Sequence, residues 1–308
     1  ILASFLVFSL TALSGDPLAE LRSRPGVSQA TIELRRQDLS LDKPIPLRYA
    51  TWAKEFVTLE SRSSRNGELV HKAIQRSFGV TLRMVLLAAV LGVLVAVSLG
   101  VYSAVKQYSW GDYAGTFFAF IFFSMPVFWL AGILKDLGIR FNQRVGTTVF
   151  YTIGERSPGL DGGFFDTLPN RLGHLALPTI TLTLISMAAW SRFQRAAMLD
   201  VLNSDYVRTA RAKGLSEFRV IGKHALRNAL IPVTTVVAID FAAIVGGAVI
   251  TETVFAWHGM GRLLLDAINA VDVNMVTAWL LVTAIMIIVF NLLADILYAV
   301  LDPRIRNG

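Results

Sequence analysis

The sequence predicts an all-α integral membrane protein with six transmembrane helices. Of its 308 residues, 54% belong to the hydrophobic set and only 17% are charged, so the chain is too apolar for an ordinary soluble domain. Its apolar residues run in uncharged blocks of about twenty, the length that a helix needs to cross a bilayer. The loops between the blocks also differ in the sign of their charge, as expected for loops on opposite sides of a membrane.

Five apolar blocks, uncharged except for Asp240, are long enough to be spans, and a sixth is short. The five cover residues 84–105, 114–134, 175–191, 229–251 and 274–294. The sixth, residues 1–13, would rise only about 20 Å as a helix, against a hydrocarbon core of about 30 Å. We expect it to be the first transmembrane helix of a chain whose true start the sequence lacks. A cleaved signal peptide is the alternative, but no basic residue precedes the block and no A-x-A cleavage site follows it.

Residues 14–77 separate this first block from the rest and are polar. Four prolines interrupt the segment, and Ser28 is placed to cap a helix over residues 28–39. The segment is predicted to be a small extracytoplasmic subdomain. Residues 78–308 are then a core with the other five transmembrane helices.

The charge of the loops gives the orientation. Residues 192–228 hold eight Lys and Arg against three Asp and Glu, whereas residues 252–273 hold one against three. The positive-inside rule places the first of these loops in the cytoplasm. Counting spans from there puts residues 14–77, 135–174 and 252–273 outside and both termini in the cytoplasm.

Several kinds of chemistry have no residues to perform them. No G-x-x-x-x-G-K-[ST] phosphate loop occurs, so we do not expect this chain to hydrolyse ATP. The four histidines fall in four separate segments without the spacing of a metal site, and there is neither a cysteine nor a G-x-S-x-G elbow. The net charge of +7 would suggest nucleic acid in a soluble chain, but in a membrane chain it marks cytoplasmic loops.

The basic loop contains a helix, a glycine corner and a second helix. Residues 206–213 favour helix, Gly214 is placed to end it, and Ser216 can cap the next helix. Composition alone leaves two interpretations open. The element could transmit a push to the membrane, or it could be a solvated loop that only anchors the topology.

The segment from Asp205 to Pro232 closely resembles the cytoplasmic coupling loop of permease subunits from bacterial ABC importers. The resemblance is to the dipeptide, oligopeptide and nickel branch, and to its B-type subunits, through the run R-T-A-R-A-K-G-L. The Glu of the general family pattern is absent. Further matching positions are His174 to Pro178, Arg192, Arg195, Thr251 to Phe255, Gly259 to Gly261, Asn291, Asp295, Tyr298 and Asp302-Pro303-Arg304.

This resemblance implies a type I ABC-importer permease fold, with a cytoplasmic coupling helix in the loop 192–230 and an extracytoplasmic insertion after the first helix. It implies a multi-pass subunit of the bacterial cytoplasmic membrane that imports oligopeptides or dipeptides. The chain would bind no cofactor, because ATP and Mg would be held by two partner ABC ATPase subunits or domains. The other implied partners are a homologous second permease, a lipid-anchored extracytoplasmic binding protein, the peptide and membrane lipid, with no nucleic acid.

The residues expected to couple to the ATPase are those of the matched run. They are Arg208, Thr209, Ala210, Arg211, Lys213, Gly214, Leu215 and Ser216.

Asp240 is the candidate for the translocation pathway. It lies near the centre of the fifth span, where a charge costs at least about 2.5–3.5 kcal/mol and therefore does not face lipid. It either lines a water-filled path, where it could meet a peptide's amino terminus, or forms an internal hydrogen bond that fixes packing.

Three other functions remain as alternatives. The same architecture could import nickel or another small solute, because the matched motifs concern coupling rather than cargo. An ion-coupled secondary transporter would need intramembrane acid or base relays, for which only Asp240 is available. A membrane scaffold without transport is the third.

Overall fold

A computed structural model describes residues 1–23, 25–160 and 163–301, and these are mostly helical. Within the described residues there is no β-strand, only one isolated bridge between Arg62 and Leu69. The predicted all-α fold is therefore confirmed. The helices are α1 (Leu2–Ser14), α2 (Ala19–Ser23), α3 (Gln29–Asp38), α4 (Ile45–Val57), α5 (Val70–Val105), α6 (Trp110–Ser124), α7 (Val127–Val145), α8 (Phe164–Leu202), α9 (Asp205–Ala212), α10 (Glu217–Arg219), α11 (Leu226–Val254), α12 (Met260–Asn269) and α13 (Val273–Leu301), with a π-helical segment (Val220–Ala225) before α11.

The chain forms two compact units. The first comprises Ile1–Thr81 with His258–Met286. Its core joins α1, α4, the first turns of α5, α12 and the start of α13, and it includes Phe8, Trp52 and Met260. The Trp52 ring lies between two other rings of α4, with ring centroids 5.7 Å from Tyr49 and 5.4 Å from Phe56.

Asp272 fixes a loop within this first unit. Its carboxylate accepts hydrogen bonds from the backbone N–H and the hydroxyl of Ser64, both at 3.1 Å, and from the hydroxyl of Ser63. It also accepts a bond of 3.1 Å from the N–H of Met275 in the first turn of α13. A carboxylate there satisfies N–H groups that have no partner inside the helix.

The second unit comprises Leu82–Trp257 with Ile287–Gly308, and α8 lies at its centre. Helices α6, α7 and α11 all pack against α8. Two glycines let α5 approach α8 closely, because a Cβ on Gly92 would lie 2.9 Å from the Trp190 ring and one on Gly100 would lie 2.7 Å from Gln194.

The predicted span over residues 114–134 is not one straight helix. Helix α6 ends at Ser124 and α7 begins at Val127, and their axes differ by 111°. Met125 between them is extended, with φ −77° and ψ 129°. Pro126 explains the break, because a proline ring disfavours helical geometry in the residue before it.

Three helices are long and apolar enough to cross a bilayer within the described residues. They are α5, α8 from Phe165 onward and α13 up to Leu293, and the bent pair α6 and α7 would be a fourth if it forms one span. These helices contain the predicted spans 84–105, 175–191 and 274–294. The 13-residue α1 is apolar but shorter, and α11 runs for 29 residues through the predicted span 229–251.

Some positions that carry the resemblance are outside the description. Asp302, Pro303 and Arg304 lie beyond the described residues, and the side chains of Asp295 and Tyr298 are not described either.

Candidate functional site

The basic loop folds into a compact element that we call the helix corner, residues 205–225. Its first helix, α9, ends in a left-handed Gly214 with φ +75°. Two hydrogen bonds close this end, from the N–H of Gly214 to the carbonyl of Arg211 at 2.9 Å and from the N–H of Leu215 to that of Ala210 at 3.4 Å. This pair of bonds is the Schellman motif, which requires the left-handed residue and favours glycine there.

The second half of the helix corner leads directly into the membrane core. Ser216 stands at the N-cap of α10, but its hydroxyl makes no capping hydrogen bond, in contrast to the sequence prediction. Its carbonyl instead accepts the N–H groups of Arg219 and Val220 at 2.9 and 3.0 Å. The π-helical segment then continues into α11, so no loop separates the helix corner from that helix.

One face of the helix corner is an apolar seat. Val207, Val220 and Ala225 are completely buried there, and Ala210 nearly so. They pack with Met198 of α8 and with Ala104 of α5 and Ala229 of α11. Because protein interiors are close-packed, this contact fixes the helix corner against the ends of three long helices.

The opposite face carries most of the predicted coupling residues. The exposed ones are Arg208, Thr209, Arg211, Lys213, Gly214 and Ser216. Ala210 is buried and Leu215 is half-buried against the seat, so these two residues stabilise the helix corner instead of offering contact surface. Arg211 pairs with Glu217 across the bend, with Nε 2.9 Å from Oε1.

Sequence reasoning missed Phe218, whose side chain is 87% exposed on the same outer side. Single exposed apolar residues are common on protein surfaces, but aromatic ones are enriched among the residues that contribute most to binding a partner. The sequence did carry one signal, because Phe218 stands two residues before Val220, which is buried in the apolar seat, and so faces another side.

Arg195 has a partner that the sequence did not reveal. Its Nε and Nη2 atoms donate to the two carboxylate oxygens of Asp112, each at 2.9 Å. Asp112 is 2% exposed and also accepts the N–H of Tyr108 at 3.0 Å. This bidentate pair joins the start of α6 to α8, about two helical turns before α8 ends at Leu202.

Asp240 is half-buried on α11 and hydrogen-bonded. Its Oδ2 accepts the indole N–H of Trp190, a fully buried residue of α8, at 2.9 Å. This bond favours the packing interpretation, while the pathway interpretation stays a prediction. The described residues contain no group of three His, Asp or Glu side chains that could hold a metal ion.

Known proteins share this chain's sequence pattern and its fold. Residues 92–307 match the family model described as "Binding-protein-dependent transport system inner membrane component". The oligopeptide transport system permease protein OppB of Mycobacterium tuberculosis (strain H37Rv) is 42% identical over 99% of this chain and 94% of its own length. The dipeptide transport system permease protein DppB of Alkalihalophilus pseudofirmus is 36% identical over 98% and 94%.

A solved structure supports the fold assignment. The structure of an inward-facing conformation of the MetNI methionine ABC transporter, in its native CY5 crystal form, aligns with a TM-score of 0.59 at 17% identity. The alignment covers 75% of this chain and 97% of that chain. At this level of identity the likeness concerns the fold, which is the type I importer permease fold expected from the sequence.

Proposed function

This chain belongs to the family of binding-protein-dependent transport system inner membrane components, and from that premise we propose that it is the permease subunit of an ATP-driven peptide importer. Its cargo would be oligopeptides or dipeptides, moved across the bacterial cytoplasmic membrane. The names of relatives that align over nearly the full length, OppB and DppB, support this class of cargo.

The structure of the helix corner is the observation that best supports coupling between an ATPase and the membrane helices. It is exposed and basic on one face, while its other face is seated on the ends of α5, α8 and α11. A rigid element of this kind can pass a displacement of a docked partner to the membrane helices without deforming. We therefore assign Arg208, Thr209, Arg211, Lys213 and Ser216 to ATPase contact, and Gly214, Ala210 and Leu215 to holding the shape.

The chain itself would perform no covalent chemistry. ATP and Mg would be bound by two ABC ATPase subunits or domains, and closure of the ATPases would shift the population of the bundle's conformations. A homologous second permease would complete the pathway, and a lipid-anchored binding protein would deliver peptide from outside. Both termini would lie in the cytoplasm, and α9 and α10 would form the coupling helices.

Reconstitution of the complex in liposomes tests this function. The chain is combined with its co-purifying permease and ATPases, and uptake of a labelled peptide is measured with binding protein and ATP. We expect uptake that requires all components. Nickel uptake without peptide uptake would overturn the peptide assignment, and peptide uptake driven by an ion gradient without ATP would overturn the whole proposal.

A further inference from the structure

The first unit contains a cavity of about 350 Å³ that none of the coupling chemistry uses. It lies between α1, the end of α3, one face of α4, the loop at residues 60–64 and the start of α13. Its volume falls in the range of small-molecule sites. The charged residues in its wall are of both signs, namely Arg35, Arg48 and Arg62 with Asp38, Glu55 and Glu60.

Three polar groups on α4 line this cavity without a hydrogen-bond partner. Arg48, Trp52 and Glu55 follow each other at i, i+4 and i+7, which places them on one face of the helix. The indole N–H of Trp52 is unsatisfied although the residue is only 3% exposed, and Nε of Arg48 is buried and unsatisfied as well. The carboxylate of Glu55 makes no ion pair or side-chain hydrogen bond with any described residue.

The neighbouring charges in the wall are already engaged. Arg35 donates to the carbonyl of Ser64 at 3.0 Å, and Arg62 donates to the carbonyl of Gly67, also at 3.0 Å. Glu60 accepts the hydroxyl of Thr58 at 3.1 Å. Among the described residues of the wall, the buried groups without a hydrogen-bond partner are thus Nε of Arg48 and the indole N–H of Trp52. The half-exposed carboxylate of Glu55 supplies an acceptor at the other end of the same face.

Leaving these buried groups without a hydrogen-bond partner is costly. A buried donor without a partner costs roughly 1–3 kcal/mol, so Trp52 and Arg48 favour any ligand that brings an acceptor. Burial and the nearby carboxylate of Glu60 raise the pKa of Glu55, and a cation at that position would reverse this effect.

The spacing limits the ligand's length. Arg48 and Glu55 are seven residues apart, which corresponds to about 10 Å along the helix axis at 1.5 Å per residue. An extended chain spans roughly 3.3–3.6 Å per residue, so a peptide of two or three residues reaches from Arg48 past Trp52 to Glu55, whereas a longer extended chain exceeds this distance. We propose that this cavity binds a short zwitterionic peptide of two or three residues, with its carboxylate at Trp52 and Arg48 and its amino group at Glu55.

Direct binding of trialanine tests the site. The assembled membrane complex is placed in nanodiscs without binding protein or ATP, and the dissociation constant is measured by saturation-transfer NMR. Trp52→Phe removes the N–H and keeps an aromatic ring, and Glu55→Gln removes the charge of a half-buried side chain. We expect each to weaken binding about tenfold, as the loss of one charge-assisted hydrogen bond implies.

Matched variants exclude general effects. Trp110→Phe makes the same exchange at an 85% exposed tryptophan outside the cavity, and Lys54→Gln neutralises an exposed charge of α4 that does not line it. Both should bind trialanine like the unmodified chain. N-acetyl-trialanine, which lacks the charged amino group, should bind the unmodified chain more weakly than trialanine does. Glu55→Gln should not weaken the binding of this acetylated peptide any further.

Two outcomes would overturn the inference. One is a complex that does not bind trialanine, or one in which Trp52→Phe and Glu55→Gln bind it as tightly as the unmodified chain does. The other is weakening by Trp52→Phe alone, which would make the ligand an anion and not a zwitterion. Because neither ATP nor binding protein is present, failure of peptide import would leave this result intact.

Discussion

Replacing Gly214 by valine tests whether the helix corner couples the ATPases to the membrane helices or only anchors the topology. The residue has φ +75°, and no atom lies within 4 Å of the position that a Cβ would occupy. A Cβ there meets no neighbouring atom, so the effect expected of the substitution is backbone strain. An L residue in the left-handed region costs about 1–2 kcal/mol, and a β-branched one lies at the upper end.

The strain has only one local route of relief. The backbone at residue 214 can move to negative φ, but then the hydrogen bonds from the N–H groups of Gly214 and Leu215 are lost. A penalty of about 2 kcal/mol corresponds to about a 30-fold fall in the population of the native bend. We expect α10 to tilt while the membrane helices, which lie outside the bend, remain assembled.

The assay is the number of ATP molecules hydrolysed per peptide imported by the complete complex in liposomes. Gly214→Val should lower uptake, and the ATPases should either bind more weakly or hydrolyse ATP without matching import. Gly214→Asn should retain most uptake, because asparagine tolerates the left-handed region.

A second glycine supplies the matched control. Gly146 also has φ +75° and open space around it, but it ends α7 outside the helix corner. Gly146→Val should leave the ratio of ATP to peptide unchanged. If Gly214→Val shows an unchanged ratio and rate with the ATPases fully bound, the helix corner only anchors the topology and the coupling argument fails.

Four further predictions concern other described residues. Arg211→Glu should weaken ATPase binding in a salt-dependent manner with no loss of fold, because an exposed ion pair contributes at most about 1 kcal/mol; equal binding at low and high salt would contradict this. Asp112→Asn should lower the stability of the complex by about 2 kcal/mol, seen as a lower melting temperature, because it removes the counter-ion of a guanidinium of α8 that is itself partly exposed. Asp240→Asn should mainly lower the yield of assembled complex if the residue fixes packing, whereas reduced uptake by a fully assembled complex would assign it to the pathway, and normal yield with normal uptake would contradict both interpretations. In intact cells an impermeant thiol reagent should label Thr253→Cys and spare Ser216→Cys, and the reverse pattern would refute the orientation.

Features set by neighbouring residues could be predicted from the sequence. The helix expected over residues 28–39 is α3, and the hydroxyl of Ser28 accepts the N–H of Thr31 at 3.2 Å. Gly214 ends α9 in the expected left-handed geometry. Both outcomes depend on hydrogen bonds within a few residues, which the order of residue types is enough to specify.

The break at Pro126 had a signal that hydropathy obscures. A twenty-residue window averages over the residue, and only the local effect of a proline on Met125 shows that the block bends. A hydropathy average indicates which residues are apolar, but it does not show that the helix changes direction among them.

Contacts between distant segments could not be predicted. Asp112 and Arg195 are 83 residues apart, and Trp190 and Asp240 are 50 apart. Their meeting depends on how α6 and α11 are rotated against α8. No single-chain pattern specifies that rotation, because each of these helices is apolar on more than one side.

The apolar seat of the helix corner also sets a condition on energy transfer in the proposed complex. Any free energy by which ATP-bound partners favour one bundle conformation must equal the free energy by which that conformation favours ATP binding. A peptide held in the pathway would therefore change the nucleotide affinity of the ATPases by the same factor as ATP changes peptide affinity. Buried residues such as Val207 and Val220 would carry both effects, so the coupling has no built-in direction. Irreversible hydrolysis of ATP alone would make import run one way.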